Sequence, residues 1–403
     1  MVDRLVCRVM PYAWGSRTAI AELLGRPAPN EDPEAELWMG DHSMAPSSLV
    51  RNGKTALLAD VIAENPVREL GEMTVRAFGA RLPFLLKVLA AREPLSLQAH
   101  PNLAQAEAGF DDEERRGVVL TAPNRNYKDR SHKPELLCAL GPFDALLGFR
   151  RIDDTISLFD ALDVKELEDV LAPLRRTRSR AGLSTTFRAI MTAQGDRRAS
   201  MVDATVAACA RTNELAKDAF AKERAWTARL AALYPGDVGV ISALLLNNVH
   251  LEPGEAIYLG AGKLHAYLGG VGVEIMASSD NVLRGGLTPK HVDVDELAGL
   301  LDFEDGPIAP MRARAIDEVE RVFDTPAREF RLSMMHLAKT PAIMRTMHGP
   351  EILLSTEGAA RIRTGAGDVT QLERGACAFL GANTDSYILD GEGTIFRATV
   401  NLV

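Results

Sequence analysis

The sequence predicts a mostly β protein with a helical insertion. Short apolar runs bounded by glycine, proline and asparagine occur on both sides of a long segment rich in alanine, leucine, arginine and glutamate. In that segment, residues 153–233, apolar side chains recur every three or four positions, as at Ile156, Phe159, Leu162 and later Leu215. A chain of 403 residues has room for two or three domains.

Composition narrows the class of protein. Hydrophobic residues make up 46% of the chain and charged residues 25%, which is typical of a globular protein in water. The formal net charge is -9 and no long basic run is present, so we expect no nucleic-acid partner. Residues 172–180 are locally basic, and we interpret them as a solvated helix end or loop.

Cysteine usage and hydropathy predict a compartment. The four cysteines, Cys7, Cys138, Cys209 and Cys377, lie far apart without a CxxC pair, which indicates free thiols in a reducing environment. No charged-then-apolar signal pattern and no apolar run of about 18 residues occur. We expect a cytoplasmic protein with no membrane partner; the oligomeric state is not predicted, and a monomer is compatible with the sequence.

The first 150 residues combine turn-rich pieces with regular elements. Residues 55–80 have helical spacing, residues 101–116 predict a helix with its proline near the start, and residues 135–149 are apolar and strand-like. Residues 82–89 form a buried strand candidate that contains one charge, Lys87. A buried ammonium is costly without a partner, so Lys87 is a candidate functional residue unless it snorkels to the surface.

A second alternating segment carries ligand-capable side chains. Between residues 93 and 101, apolar residues alternate with Ser96, Gln98 and His100, which a strand would place on one face. A row of hydroxyl, amide and imidazole beside an apolar run predicts a strand that lines a polar cavity, such as the inside of a barrel. Glu135 and His265 begin or enter further strand candidates.

The strand signal returns after residue 238. Residues 241–247 and 256–259 are strand candidates, and Asp293 with Glu296 at capping-box spacing predicts a helix through Leu301. Residues 254–268 and 375–389 share five identities in fifteen positions, with His265 opposite Ser386. We interpret them as two copies of one β module, the second without the histidine and therefore structural.

Four of these residues form a candidate metal site. Gln98, His100, Glu135 and His265 offer an amide oxygen, a carboxylate and two imidazoles. Nitrogen and oxygen donors of this kind suit Zn²⁺ or another borderline divalent ion.

The same residues carry a resemblance to a known family. The glycine-rich stretch from Gly254 to His265 resembles the second cupin motif, although glycine replaces its proline and Gly269 stands where the motif has asparagine. Several segments in the same order are similar to the type I mannose-6-phosphate isomerase family. They are YAWG at 12–15, ELWMG at 36–40, LQAHP at 97–101, KPE at 133–135, GKLHAY at 262–267 and NVLRGGLTPK at 281–290.

The resemblance implies a fold and a domain order. It implies cupin-type jelly-roll barrels: a catalytic barrel and a degenerate C-terminal barrel, with an α-helical insertion. The expected domains are residues 1–150 and 236–325 for the catalytic barrel, 151–235 for the helical domain and 326–403 for the C-terminal barrel.

The resemblance also implies a reaction and roles for nine residues. The expected activity is a zinc-dependent aldose–ketose isomerisation of mannose 6-phosphate and fructose 6-phosphate, with one Zn²⁺ per chain and a phosphosugar as the partner. Proton transfer between C1 and C2 passes through an enediolate, which a fixed cation can stabilise. The implied zinc ligands are Gln98, His100, Glu135 and His265; the catalytic arginine is Arg284; and the residues near the sugar phosphate are Lys87, Ser96, Lys133 and Lys290.

Some alternatives stay open from the sequence alone. Lys133, Glu135, Glu274 and Asp280 are all candidates for the proton-transfer base. Another metal-dependent cupin enzyme acting on phosphosugars, or a non-enzymatic sugar-binding cupin, would share much of the pattern. The arginine at position 284 disfavours simple binding, which does not require it.

Overall fold

A computed structural model describes residues 2–51, 53–211, 219–338, 343–346, 349–365, 367 and 369–402. Leu215, on which part of the helical periodicity depends, lies outside these ranges. No helix in the described ranges is both long and apolar enough to cross a membrane.

Strands dominate both ends of the chain. The strands before the helical block are β1 (Val2–Val6), β2 (Arg8–Met10), β3 (Glu36–Met39), β4 (Ser48–Arg51), β5 (Lys54–Leu57), β6 (Phe84–Ala91), β7 (Gln98–Ala99), β8 (Glu135–Ala139) and β9 (Phe143–Phe149). The strands that follow it, up to residue 337, are β10 (Leu246–Leu251), β11 (Glu255–Leu259), β12 (His265–Ala277), β13 (Leu283–Arg284), β14 (Met311–Arg312), β15 (Arg314–Ala315), β16 (Glu320–Phe323) and β17 (Arg331–Leu337). The last strands are β18 (Ile343–Thr346), β19 (Glu351–Thr364), β20 (Val369–Glu373), β21 (Cys377–Leu380) and β22 (Ser386–Thr399).

Helices are concentrated in the middle of the chain, as the periodicity predicts. The helices before the block are α1 (Ala19–Leu23), α2 (Leu58–Glu64), α3 (Pro66–Leu70), α4 (Glu72–Phe78) and α5 (Leu103–Arg115). The block itself contains α6 (Ile152–Leu162), a 3₁₀ turn at Lys165–Leu167, α7 (Glu168–Thr177), α8 (Arg180–Met191), α9 (Gly195–Ala210) and α10 (Ala221–Leu233). Two short helices follow, α11 (Gly239–Ala243) and α12 (Val294–Leu300).

Helix ends follow the local chemistry of the sequence. Asn102 and Gln105 form a reciprocal capping box that starts α5 one residue after Pro101. The Asp293 side chain accepts the Glu296 backbone N–H at the start of α12, as the capping spacing predicts. The basic stretch 172–180 covers the end of α7 and the start of α8, and its side chains other than Leu174 are exposed or half-buried. This agrees with its interpretation as a solvated helix end or loop.

The described strands form two antiparallel sheets of 11 strands each. The first sheet has the order β15-β16-β17-β22-β19-β21-β1-β4-β5, so strands from the N-terminus complete a sheet of C-terminal strands. The Cys7 and Cys377 sulfurs, 3.0 Å apart, lie at this junction, and Cys7, Cys138 and Cys377 are free thiols. The strands of residues 2–57 are thus distributed over both sheets, whereas the expected domain order assigns residues 1–150 to one barrel. The domain limits stay a prediction.

The second sheet branches at β12. Its order is β14-β11-β8-β12-β6-β3-β2, while the N-terminal end of β12 pairs separately with β7 and β9. Residues 272–276 of β12 therefore lie between β6 and β8, and His265 pairs with Gln98 of β7. This branching confirms the mostly β prediction with a helical insertion, and closure of a full barrel is not seen in the described pairings.

Apolar packing joins the layers. One buried cluster contains side chains from both sheets, such as Leu86 and Ile275 from the second sheet and Ile352 and Phe379 from the first. A second cluster packs the helical block against the β7 region, including Leu97 and Ala99. The candidate site thus lies where the helical block and the second sheet meet, fixed from both sides by buried apolar side chains.

Two halves of the β structure repeat one arrangement. In the second sheet, β8 lies between β11 and β12, and Glu135 is opposite Leu259. In the first sheet, β19 lies between β21 and β22, and Glu351 is opposite Leu380. The first of the two stretches predicted as copies contains β11 and the start of β12, and the second contains β21 and the start of β22. The equivalent strand arrangement supports the predicted repeat.

The two copies neutralise their buried glutamates differently. On β12, Glu274 lies two residues before the residue that pairs with Glu135. On β22, Arg397 lies two residues before the residue that pairs with Glu351. Arg397 forms ion pairs with Glu351 and Glu320, and the Tyr387 hydroxyl donates to Glu351 at 2.6 Å. A guanidinium therefore supplies the positive charge in the C-terminal copy, where the histidine is absent.

Two strand predictions were wrong in extent or type. Residues 241–247 were expected to form a strand, but α11 covers Gly239–Ala243 and β10 begins only at Leu246, because a short buried apolar run fits either a helical turn or a strand. Around residues 93–100 only Gln98–Ala99 is a strand. Pro94 and Pro101 lack the backbone N–H that a longer ladder needs.

We predict that Arg397→Met destabilises the protein by about 3–5 kcal/mol, because it leaves two buried carboxylates without their cation. Arg361→Met is a matched control: Arg361 pairs with Asp390 on the same sheet, but its side chain is 57% exposed, and its loss should cost less than about 1 kcal/mol. Urea unfolding followed by circular dichroism measures both. Equal effects of the two substitutions would contradict a charge-balancing role for Arg397.

Candidate metal centre and active-site cavity

Three buried side chains from different strands meet at one point. His100 follows β7, Glu135 begins β8 and His265 begins β12. One ligand atom from each lies within 4.8 Å of the others. His100 Nε2 is 3.4 Å from Glu135 Oε1, and His265 Nε2 is 3.7 Å from Glu135 Oε2. Strand pairing alone brings together residues that are up to 165 positions apart in the chain.

The remaining ring nitrogens orient the two imidazoles. His100 Nδ1 lies 2.7 Å from the Asn281 carbonyl oxygen, and His265 Nδ1 lies 2.9 Å from the Lys263 carbonyl oxygen. A carbonyl oxygen accepts only, so Nδ1 donates in both rings and each Nε2 keeps its lone pair. Hydrogen bonds from the outer nitrogen in this way fix the tautomer of metal-binding histidines.

The atoms that face the common point lack partners. His100 Nε2, Glu135 Oε2 and His265 Nε2 are buried without a hydrogen bond. Buried polar atoms are almost always hydrogen-bonded, so three unpartnered acceptors directed at one another require an explanation. A divalent cation between them would satisfy all three, and these residues therefore fit a metal ion.

Electrostatics keeps the three groups in the protonation states that a metal needs. Burial alone would raise the pKa of Glu135, but Lys133 and His100 lower it well below its ordinary value. Burial lowers the pKa of His265 to about 4, and burial together with the Lys133 charge lowers the pKa of His100. At neutral pH the site therefore presents a carboxylate and two neutral imidazoles.

Gln98 is the fourth ligand predicted from the sequence. Its backbone pairs with His265 on one side and with Arg284 on the other. It is half-buried and lines a cavity of about 520 Å³ beside the three buried ligands. The structure thus brings Gln98 next to the metal-binding group, and its coordination to a metal stays a prediction.

All five of the predicted catalytic and phosphate-binding residues line the same cavity. They are Lys87, Ser96, Lys133, Arg284 and Lys290. Arg284 is half-buried, and burial lowers its pKa. The Lys290 side chain lies at the exposed end of the cavity, where burial and the Arg284 charge lower its pKa. Lys133 Nζ lies 2.9 Å from Glu135 Oε1 and so connects the cavity with the metal-binding group.

Lys87 has carboxylate partners that the sequence did not identify. Its Nζ lies 3.2 Å from Glu274 and 3.6 Å from Glu36, and 5.2 Å from the centre of the Trp38 ring. Burial alone would lower the pKa of Lys87, but the two glutamates raise it above its ordinary value, so the ammonium stays charged. Contact with a sugar phosphate stays a prediction. The charge in an apolar strand indicated that a partner must exist, but not which residue supplies it.

A histidine–aspartate pair also faces the cavity. His42 is buried, and its Nε2 lies 3.3 Å from Asp280 Oδ1. The hydrogen bond from His42 lowers the pKa of Asp280, so this carboxylate is ionised at neutral pH. Both residues line the cavity, and Asn281, which follows Asp280, holds His100. Sequence reasoning considered Asp280 as a base but did not connect it with His42, because 238 positions separate them.

Comparison with known proteins decides the family. Residues 2–152 match the family model of the phosphomannose isomerase type I catalytic domain. Mannose-6-phosphate isomerase from Salmonella typhimurium is 38% identical over 398 residues, which cover 98% of this chain and 99% of the relative. The chain belongs to the type I phosphomannose isomerase family. A relative from Arabidopsis thaliana, mannose-6-phosphate isomerase 1, is 32% identical over 99% of this chain and 94% of its own.

Solved structures of this family agree over the whole chain. A variant of phosphomannose isomerase from Salmonella typhimurium superposes with a TM-score of 0.92 at 37% identity, covering 100% of both chains. A zinc-bound mannose 6-phosphate isomerase superposes with a TM-score of 0.91 at the same identity and coverage. The family and the cupin-type fold expected from the sequence motifs are therefore confirmed.

We predict that His265→Ala weakens zinc binding by more than about 100-fold, since removing a direct ligand should exceed the 10–100-fold loss caused by an outer partner. Zinc titration of the apo protein against a chelating indicator measures the change. The control is His250→Ala, which removes an imidazole that is 42% exposed and bound to Asp144. Unchanged zinc affinity of the His265→Ala protein would rule out this histidine as a ligand.

Proposed function

We propose that this protein interconverts mannose 6-phosphate and fructose 6-phosphate with one bound Zn²⁺. The observation that carries the proposal is the set of three unpartnered buried ligand atoms, on His100, Glu135 and His265, beside a cavity that also contains Arg284. Relatives that cover nearly the whole chain are named mannose-6-phosphate isomerase. A metal site and a fixed cation in one cavity are suited to the aldose–ketose reaction, because both can stabilise negative charge that develops on oxygen.

Zinc is the metal that the donor set favours. Two imidazoles, one carboxylate and the amide oxygen of Gln98 are nitrogen and oxygen donors without a thiolate, and such a mixed set suits Zn²⁺. His100, Glu135, His265 and Gln98 would hold the ion. A zinc ion bound there supplies a Lewis acid that polarises the sugar carbonyl and makes the neighbouring C–H more acidic. A related structure described as zinc-bound supports this choice.

Arg284 is proposed to stabilise the enediolate. The guanidinium stays protonated at all relevant pH values even where burial lowers its pKa, so its charge is permanent. The backbone of Arg284 pairs with Gln98, which fixes the distance between the cation and the metal-binding strands. A pre-oriented charge in a half-buried cavity costs little reorganisation when negative charge develops on oxygen.

The phosphate is proposed to bind at the polar wall of the cavity. Lys290 and Lys133 offer ammonium groups, Ser96 offers a hydroxyl, and Lys87, whose ammonium also pairs with two glutamates, lies deeper in the wall. Charge-assisted hydrogen bonds of this kind are the usual way in which proteins hold phosphate. The cavity, about 520 Å³ in volume, is large enough for a hexose phosphate.

The proton-transfer base is proposed to lie at the cavity wall. Among the four candidates from the sequence, Lys133 and Asp280 line the cavity. Glu274 is buried behind the wall, where it accepts a hydrogen bond from Tyr267 at 2.9 Å and pairs with Lys87, and Glu135 is committed to the metal-binding group. Lys133 and Asp280 are therefore the two candidates that a substrate can reach.

The layout of the chain also supports a division of labour. The second sheet, with residues from about 1–150 and 236–325, carries the proposed catalytic groups, and the helical residues 151–235 flank the cavity. The C-terminal residues 326–403 are proposed to be a degenerate copy without a metal. A cytoplasmic location remains a prediction.

The direct test is an isomerase assay with the purified, zinc-loaded protein. Mannose 6-phosphate should be converted to fructose 6-phosphate, and removal of zinc by a chelator should abolish the conversion until zinc is restored. No product from a zinc-loaded, folded protein would instead favour a different metal-dependent reaction on phosphosugars, or binding alone.

We predict that Arg284→Ala lowers kcat by about 100-fold to 1,000-fold while bound zinc stays near one per chain, because the change removes a charge that acts mainly on the transition state. Steady-state kinetics and metal analysis of the same preparation measure the two quantities. Arg312→Ala, which removes an arginine that is 81% exposed, is the control and should leave both unchanged. Joint loss of zinc and activity in Arg284→Ala would mean that the arginine has a structural role.

A further inference from the structure

The loop that follows Arg284 has a strained backbone. Gly286 has φ of 107° and Leu287 has φ of 55°, in the left-handed region that a branched aliphatic residue rarely adopts. Leu287 is 1% exposed, so its side chain is packed in place. Backbone strain of this kind persists only where surrounding contacts hold it, and it is concentrated at functional sites.

One side of the loop is held by the metal-binding region. Gly285 N donates to the Leu97 carbonyl at 2.7 Å, and Leu97 N donates to the Gly286 carbonyl at 3.1 Å. Leu97 precedes Gln98, which pairs with Arg284 in the next register position. These bonds fix the start of the loop, at Gly285 and Gly286. They do not hold Thr288 to Lys290, which also line the cavity.

Asp237 holds the part of the loop that begins at Thr288. This half-buried residue lies between α10 and α11. Its Oδ1 accepts from Gly239 N at 2.7 Å, and its Oδ2 accepts from Thr288 N at 3.2 Å. The Asp237 carboxylate therefore joins the start of α11 to Thr288, the residue that follows the strained Leu287.

Glycine packing brings the two segments into contact. A Cβ atom built on Gly239 would lie 2.7 Å from Leu287 N, and one built on Gly286 would lie 2.8 Å from Gly239 Cα and 2.9 Å from Asp237 Oδ1. These distances are shorter than side-chain carbons tolerate, so the contact between the segments requires glycine on both sides. The carboxylate and the glycines act on the same three residues of the loop.

We infer that Asp237 is a positioning residue for the isomerase reaction, which sets the loop of residues 284–290 so that Arg284 and Lys290 face the cavity. The inference rests on the proposed function. Asp237 does not line the cavity among the residues described around it; it acts through Thr288 and the strained turn.

The test compares two aspartates that differ in what they hold. Asp237→Ala should lower kcat/KM by between about 10-fold and 100-fold, the scale expected for a displacement of about 1 Å, with zinc content unchanged. Asp305→Ala is the matched control: Asp305 is also half-buried and accepts a backbone N–H at a helix start, from Ile152 at 3.0 Å, but it does not contact the loop. It should keep wild-type kinetics. Asp237→Asn retains one acceptor oxygen, which can bond to Gly239 N or to Thr288 N but not to both, so its loss of kcat/KM should be smaller than that of Asp237→Ala but not zero.

A double-mutant cycle separates positioning from general damage. In an Arg284→Ala background, Asp237→Ala should cost less than about threefold further in kcat, because the catalytic cation that it positions is already absent; an effect through Lys290, a proposed phosphate-binding residue, should appear in KM. If the two losses multiply in full, Asp237 acts independently of Arg284 and the inference is overturned. Wild-type kinetics for Asp237→Ala would overturn it as well.

A second variant keeps the carboxylate and disturbs the loop from the same side. Gly239→Ala places a methyl group against Leu287 N and should reproduce the loss of kcat/KM with zinc retained, even if Asp237→Ala proves insoluble. Full activity in Gly239→Ala would contradict a role for this contact. These outcomes are distinct from failure of the proposed function, in which the wild-type protein itself would show no isomerase activity.

Discussion

The buried charge of Glu135 is the constraint on which the site depends. A carboxylate that is 2% exposed is stable only if positive charge or hydrogen-bond donors surround it. Lys133 supplies part of this compensation through Oε1, while Oε2 and two imidazole nitrogens stay without partners. The polypeptide thus leaves three buried lone-pair atoms without a donor or a cation, and a divalent cation would satisfy all three.

In the C-terminal sheet, a side chain of the protein itself neutralises the corresponding buried glutamate. Glu351 occupies the position of Glu135 in an equivalent set of three strands, and the guanidinium of Arg397 neutralises it. An arginine on β22 replaces both the metal and the need for histidines. The comparison explains how two copies of one β arrangement can be a metal site in one case and a structural module in the other, without a change in strand order.

Local sequence patterns predict the helical block and the candidate metal-binding residues. They do not predict contacts between residues that are far apart in the chain. Periodicity located the helical block, and motif order predicted His100, Glu135 and His265, which the structure brings together in a group that could hold a metal ion, because donor chemistry is visible in single side chains. The partners of Lys87 and His42 were not predictable, since Glu36 and Glu274 reach Lys87 through strand pairing and Asp280 reaches His42 from a distant loop. Residues 241–247 were misassigned because a short buried apolar run has no period that separates strand from helix.

X-ray absorption at the zinc edge of the purified, zinc-loaded protein tests the central claim most directly. The account predicts a first shell of nitrogen and oxygen atoms at about 2.0–2.2 Å, with the outer scattering of two imidazole rings. A sulfur scatterer at about 2.3 Å, or scattering from fewer than two imidazoles, would contradict a site formed by His100, Glu135, His265 and Gln98.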